Sequence, residues 1–300
     1  MRTLHSSLLA LGTAVITAVG VTACNNEGGT APATSVLSQA QAESLATTVV
    51  ADIVGEIGTA TMDGSNGAMA TAPVDASAPA GSSTATQCIP AKSPTPVTDA
   101  DNDGVPDSVR FDYTGCVISR PLSIDSLSGT IDLIDPTKLV ADHAVKRVFT
   151  DFKRITVKLL SGAKSSVTDN GVRQASHDGT TLRSSETNFR TDYVYANGNT
   201  AEHVRTWESI FTADVAGSIM RDALLPSGTW SVNGTSSWTR GQRSYSLTVT
   251  TNPPLHYNAS CTAAPRFDAG KITAVVVRNS QTVTVTIEFT ACGVYTVTRS

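Results

Sequence analysis

Aromatic and charged side chains are both scarce in this chain: 5% of its 300 residues are Phe, Trp or Tyr, and 16% are charged. The formal net charge is −4, so the basic surplus that nucleic-acid binding needs is missing. Catalytic signatures are missing too. The sequence holds no G-x-S-x-G, H-E-x-x-H, Walker loop or G-x-G-x-x-G. It has no C-x-x-C pair, which argues against metal ligation by its cysteines. Its one long uncharged apolar run, Leu8 to Val21, falls short of the roughly 20 residues that span a bilayer. What remains is abundant Thr, Ser, Val and Ala, a composition that suits a β-rich exported protein.

The apolar run follows a thin positive start at Arg2 and has the length of a signal-peptide core. It closes on Val21-Thr22-Ala23-Cys24, a branched apolar residue, two small ones and a cysteine. This resembles the lipobox of bacterial lipoproteins. The resemblance implies a diacylglycerol on Cys24, cleavage before it, and acylation of the new amine. Two or more chains, at ~0.8 kcal/mol per buried methylene, hold a protein on a membrane without a spanning helix. Asn25, being other than Asp, implies the outer membrane by the same resemblance. The alternative is an ordinary secretory signal with Cys24 a spare thiol.

Four further cysteines, Cys88, Cys116, Cys261 and Cys292, suggest two disulfides in an exported chain. Local pairing favours Cys88–Cys116 and Cys261–Cys292. The chain divides into a signal segment (1–23), a tether (24–34), a helix (35–57), a low-complexity linker or loop (58–86) and a β-rich domain (87–300). The helix rests on a stripe of Leu37, Leu45, Val49, Ile53 and Ile57, with Val50 and Val54 beside it. Ser35 or Ser38 caps its start and Gly58 ends it. Residues 58–86 have almost no large apolar side chain with which to offset ordering entropy.

Carboxylates alternate through Asp99, Asp101 and Asp103, with Gly104 where the backbone must turn and Asp107 beyond. The run matches the first half of a calcium loop, with Val105 offering its carbonyl. It resembles thrombospondin type-3 and dockerin-like repeats, which implies a structural calcium held by Asp99, Asp101, Asp103, Val105 and Asp107. It departs from the EF-hand at the twelfth position, which is Arg110 rather than a bidentate Glu. The plain alternative is a solvated Asp-rich turn.

Alternating apolar residues then predict strands at 108–113, 127–134, 145–160, 182–194 and 203–213. Asn170-Gly171, Asp178-Gly179 and Asn197-Gly198 carry hairpin-turn signals. A turn at Asn233-Gly234 would place Trp230 and Trp238 on opposite faces. Residues 215–225 fit a helical turn or a loop. A turn at Asn279-Ser280 sets Val276 against Val283, Ala274 against Val285 and Ile272 against Ile287, so register and hydrophobic pattern agree. Val109 to Cys116 also echoes Val285 to Cys292.

The expected fold is mainly β: a large antiparallel meander, forming a curved sheet or a partial barrel or sandwich, with one N-terminal amphipathic helix. The expected role is a non-catalytic structural or binding one in the cell envelope, with a protein, glycan or lipid ligand. A carrier of lipid or another hydrophobic ligand is the alternative. A surface hydrolase using Asp142-His143 or His177-Asp178 is the third reading.

Overall fold

The computed structural model describes residues 38–65, 88–140, 143–220, 223–241, 243–278 and 281–300. Cys24, the signal segment, the tether and most of the 58–86 stretch lie outside these residues.

Helix α1 runs from Gln39 to Ser65. Ser38 caps it reciprocally. Its Oγ accepts from the Gln41 N–H at 3.2 Å, and its own N–H donates to Gln41 Oε1 at 2.8 Å. Gly58 does not end the helix, because a single glycine in a helix interior costs only about 1 kcal/mol. The buried stripe is Ala42, Ala46, Val49, Val50 and Ile53, while Val54 is exposed. The sequence reading favoured the larger side chains and passed over the alanines, which let the helix lie close to the sheet.

Fourteen strands form one antiparallel sheet. They are β1 (Ala91–Ser93), β2 (Ser108–Asp112), β3 (Cys116–Arg120), β4 (Ser123–Ile134), β5 (Val145–Lys158), β6 (Lys164–His177) and β7 (Thr181–Val194). Then come β8 (Thr200–Ala213), β9 (Gly228–Arg240), β10 (Arg243–Thr251), β11 (Leu255–Tyr257), β12 (Phe267–Arg278), β13 (Gln281–Ala291) and β14 (Val294–Arg299). The spatial order is β1-β2-β4-β5-β6-β7-β8-β9-β10-β12-β13-β14, with β3 added to β4 and β11 between β9 and β12. The β12–β13 register is the one the sequence predicts, with Val276↔Val283, Ala274↔Val285 and Ile272↔Ile287. Asp178-Gly179 and Asn197-Gly198 do sit in hairpin connections. Residues 214–227 contain no helix among those described.

Two glycine signals mislead. Asn170-Gly171 lies inside β6, where Gly171 (φ +132°) makes a bulge instead of a turn. Asn233-Gly234 lies inside β9, and neither residue takes the positive φ that a type I′ turn needs at both positions. Gly234 instead faces Trp207 across the ladder. Because β9 is continuous, Trp230 and Trp238 share one face, not opposite faces.

Bulges line up across neighbouring strands. Gly129 of β4, Asp151 of β5, Gly171 of β6 and Asn188 of β7 all have positive φ, and the register slips beside each. The Asp151 N–H donates to Asn170 Oδ1, and the Asn188 N–H to Thr206 Oγ1, so side chains take up backbone groups the ladder releases. Bulges bend and twist a strand, and a row of them creases a sheet. The bent sheet wraps α1, whose backbone runs closest to β6 and β7 on one flank and β13 and β14 on the other.

Two apolar clusters result. One joins α1 to the inner faces of β7 to β13, around Trp230, Phe211, Ile272 and Ile287. The other packs Val109, Phe111, Tyr113, Leu133 and Phe152 beneath the 88–107 segment. Disulfides Cys88–Cys116 and Cys261–Cys292 close one region each, as the local pairing predicts. At the free edge, Gln39 Nε2 donates to the Val297 carbonyl at 3.2 Å, so the helix covers part of β14.

Candidate functional site

The alternating Asp run forms a tight loop ahead of β2. Asp99 Oδ1 accepts from the Asn102 N–H at 2.8 Å and Oδ2 from the Gly104 N–H at 3.0 Å. Asp101 Oδ1 accepts from the Asp103 N–H, and Asp103 Oδ1 from the Val105 N–H. Carboxylate oxygens of Asp99, Asp101 and Asp103 lie within 4.8 Å of one another. Asp107 is turned back on the loop. Its carboxylate takes the Thr98 hydroxyl and the Ala100 N–H, which hold it below the usual carboxylate range.

Sequence reasoning missed Asp135. Asp135 lies one residue past the strand expected at 127–134. The Asp135 N–H donates to the Pro106 and Asp107 carbonyls, which brings the end of β4 against the loop. Asp135 is 3% exposed, and its Oδ2 is buried without a hydrogen-bond partner. Asp101 Oδ2 is orphaned in the same way. Lost hydration first, then the charges of Asp103 and Asp135, push the Asp101 carboxyl above its ordinary value. Orphaned carboxylate oxygens are costly to bury, and a cation is the partner that satisfies them.

His143 packs beside the loop. Its N–H donates to Asp103 Oδ2 at 3.1 Å, and its ring stacks on His177 at 5.0 Å. Asp142 lies outside the described residues. Asp178 does not serve His177, because its Oδ1 accepts from the N–H groups of Thr180 and Thr181 and shapes the hairpin turn.

The concave face carries the other polar groups. At the crease, Glu186 is 3% exposed and lies between Arg173 (2.6 Å) and Arg205 (2.9 Å). The Nε–H directions miss its oxygens, so the attraction is Coulombic more than directed. Both guanidiniums stack on Phe189. Arg147 is pushed down to about 10 by burial and by Arg173. In the next rows, Thr191 faces His203, His203 faces Trp238, and Trp238 faces Tyr245. His203 is held neutral, its pKa lowered to about 3 by burial and by Arg205, and its Nε2 bonds Ser236 Oγ at 2.7 Å.

Beyond this row lies a cleft of about 320 Å³. Tyr195, Trp238 and Tyr245 supply rings and Arg240 and Arg278 guanidiniums, with Ala201 and Ser244 beside them. Local spacing does not point to it, because its lining comes from four separate strands and a turn. Trp238 and Arg240 share a face of β9, and it is the face of Trp230 only once Asn233-Gly234 is read as strand.

Comparison with known proteins yields no match: no family model, no curated protein and no solved structure matches the chain.

Proposed function

We propose that this chain is a lipid-anchored protein of the cell envelope, tethered to the outer membrane through Cys24, with a non-catalytic binding role. The observation that carries this reading is the pair of disulfides, which suits an oxidising, extracytoplasmic compartment. Among the described residues no helix is long and apolar enough to cross a membrane. The helix-filled interior favours a rigid binding scaffold over the lipid carrier, since α1 occupies the space an acyl chain would need.

Calcium is the structural cofactor in this reading. Asp99, Asp101, Asp103 and Asp135 would supply carboxylates, and Val105 its carbonyl. Asp107 braces the loop from behind. Bound calcium would neutralise crowded charge and fix the 88–107 segment over the smaller apolar cluster.

Two measurements test the proposal. Labelled palmitate should enter the wild-type protein and disappear in Cys24→Ala; labelling that persists removes the anchor. Calcium should raise the melting temperature by several degrees, and Asp101→Ala with Asp103→Ala should abolish the rise. A wild-type melt indifferent to chelator reduces the loop to a turn.

A further inference from the structure

We propose that the cleft between Tyr195, Trp238, Tyr245, Arg240 and Arg278 binds an acidic sugar unit, the carboxylated residue of a glycan. The inference deepens the binding role above and depends on neither the anchor nor calcium.

The cleft has a prebuilt wall. Trp238 stacks with His203 at 4.0 Å and with Tyr193 at 5.7 Å, both reaching it from the β7–β8 side. Ala201, opposite both Tyr193 and Arg240, is small enough to let Tyr193 reach over it. Tyr195 continues the stack beyond Tyr193 at 6.1 Å. A wall fixed before binding loses little side-chain entropy when a ligand arrives.

The two guanidiniums of the cleft are exposed to solvent. Arg110 pairs with Asp132, Arg190 with Asp192 and Glu202, and Arg173 and Arg205 with Glu186. Arg240 lies over the Tyr195 ring at 5.0 Å, and among the described residues neither it nor Arg278 forms an ion pair with a carboxylate. The register also gathers Arg147, Arg154, Arg173 and Arg205 on the same concave face, against Asp169 and Glu186. A chain of net charge −4 therefore keeps a cationic inner face, and two guanidiniums stand at its aromatic end. Guanidinium recognises carboxylate through two parallel hydrogen bonds.

The rest of the lining narrows the ligand. A lipid needs a slot for its chains, and the inner face beyond the cleft is packed around α1. A bare phosphate would leave three aromatic rings without a role. The acidic net charge of the chain argues against a nucleic acid. A puckered sugar ring sets its C–H groups against the aromatic rings and a carboxylate against the two guanidiniums. The volume falls at the small end of the roughly 300–1,000 Å³ typical of small-molecule sites, enough for one or two such units.

The test is titration of the full-length protein in detergent with tetragalacturonate, followed by calorimetry and by tryptophan fluorescence. Trp207 and Trp230 are 3% and 0% exposed, so a ligand-dependent signal reports Trp238. Saturable binding is expected, weakened at least tenfold in Arg240→Ala with Arg278→Ala, and at least tenfold weaker for neutral maltotetraose. Arg240→Lys should recover part of the affinity, and the melting temperature of the variants should match wild type. Equal binding of the neutral sugar overturns the proposal. So does unchanged affinity in the double variant, competition by equimolar inorganic phosphate, or preferential binding to anionic phospholipid vesicles.

Discussion

Strands β4 to β8 and strands β9 to β13 solve the same problem differently. The first group breaks register in each successive pairing and places charge on its inner face, at Arg173, Glu186 and Arg205. In the second group, β9, β10, β12 and β13 pair without a slip and bury rows such as Val249, Ala274 and Val285. Regular pairing lets one face be apolar throughout, and that face supplies most of the core around α1, which also runs close to β6 and β7. A crease bends the sheet but releases backbone groups, and the polar side chains that answer them do not make a dry core. The echo between Val109–Cys116 and Val285–Cys292 sets the contrast in relief. Val109, Phe111 and Tyr113 are buried in one region as Val285, Ile287 and Phe289 are in the other. A local strand pattern is thus common to both; the bulges are what separate them.

The sharpest way to break the comparison is to remove the charge at the crease. Glu186→Gln leaves Arg173 and Arg205 without their counter-charge in a largely buried setting, and should cost about 3–5 kcal/mol by urea denaturation. Ile287→Val, at a fully buried site in the regular region, should cost about 1 kcal/mol. A smaller loss at Glu186 than at Ile287 would show that the crease depends on its bulges and not on its ion pairs.

Acid should separate the two regions next, through one histidine in each. His203 of β8 stays neutral in the fold down to about pH 3, while the unfolded chain takes a proton near pH 6.5. Its contribution therefore falls as pH drops from 6.5 toward 3, by roughly 3 kcal/mol at pH 4. His256 of β11 is the opposite case. Asp268 at 2.6 Å, then Asp214 at 3.2 Å, raise its pKa above the ordinary value. Its contribution is complete below the unfolded value and is lost as pH rises through the folded one. His203→Gln should flatten the acid limb of stability against pH, and His256→Gln the loss that begins as pH rises past the unfolded value near 6.5. Identical profiles for the two variants would mean that neither environment acts as described.

This contrast also explains what the sequence could and could not disclose. The β12–β13 hairpin was readable to the residue, because one buried face and one short turn leave a single register. The helix was readable through its apolar spacing, but not its end, since a lone glycine is a weak stop. The crease was not readable. A glycine after an asparagine signals positive φ, and a bulge and a turn both use it. The Asp loop was visible as a run, whereas Asp135 joins it only after β4 has folded back, and local spacing holds no trace of that. The cleft needs strands β7 to β10 and β12 side by side, so its residues are far apart in the chain.

The last variant in the series probes the crease itself. Gly129 has φ +87°, and a Cβ there would overlap the Asp151 carbonyl of the next strand. Gly129→Ala should therefore cost about 2 kcal/mol, from an unfavourable backbone conformation and a displaced bulge. Ser128→Ala, one residue earlier, should stay within about 0.5 kcal/mol. The location of the damage matters more than its size. Amide exchange should quicken across β4 to β7, where the bulges are stacked, and stay unchanged in β12 and β13. If exchange rose equally in both regions, the bend would be a property of the whole sheet, and the line from Gly129 to Asn188 would be only its most visible part.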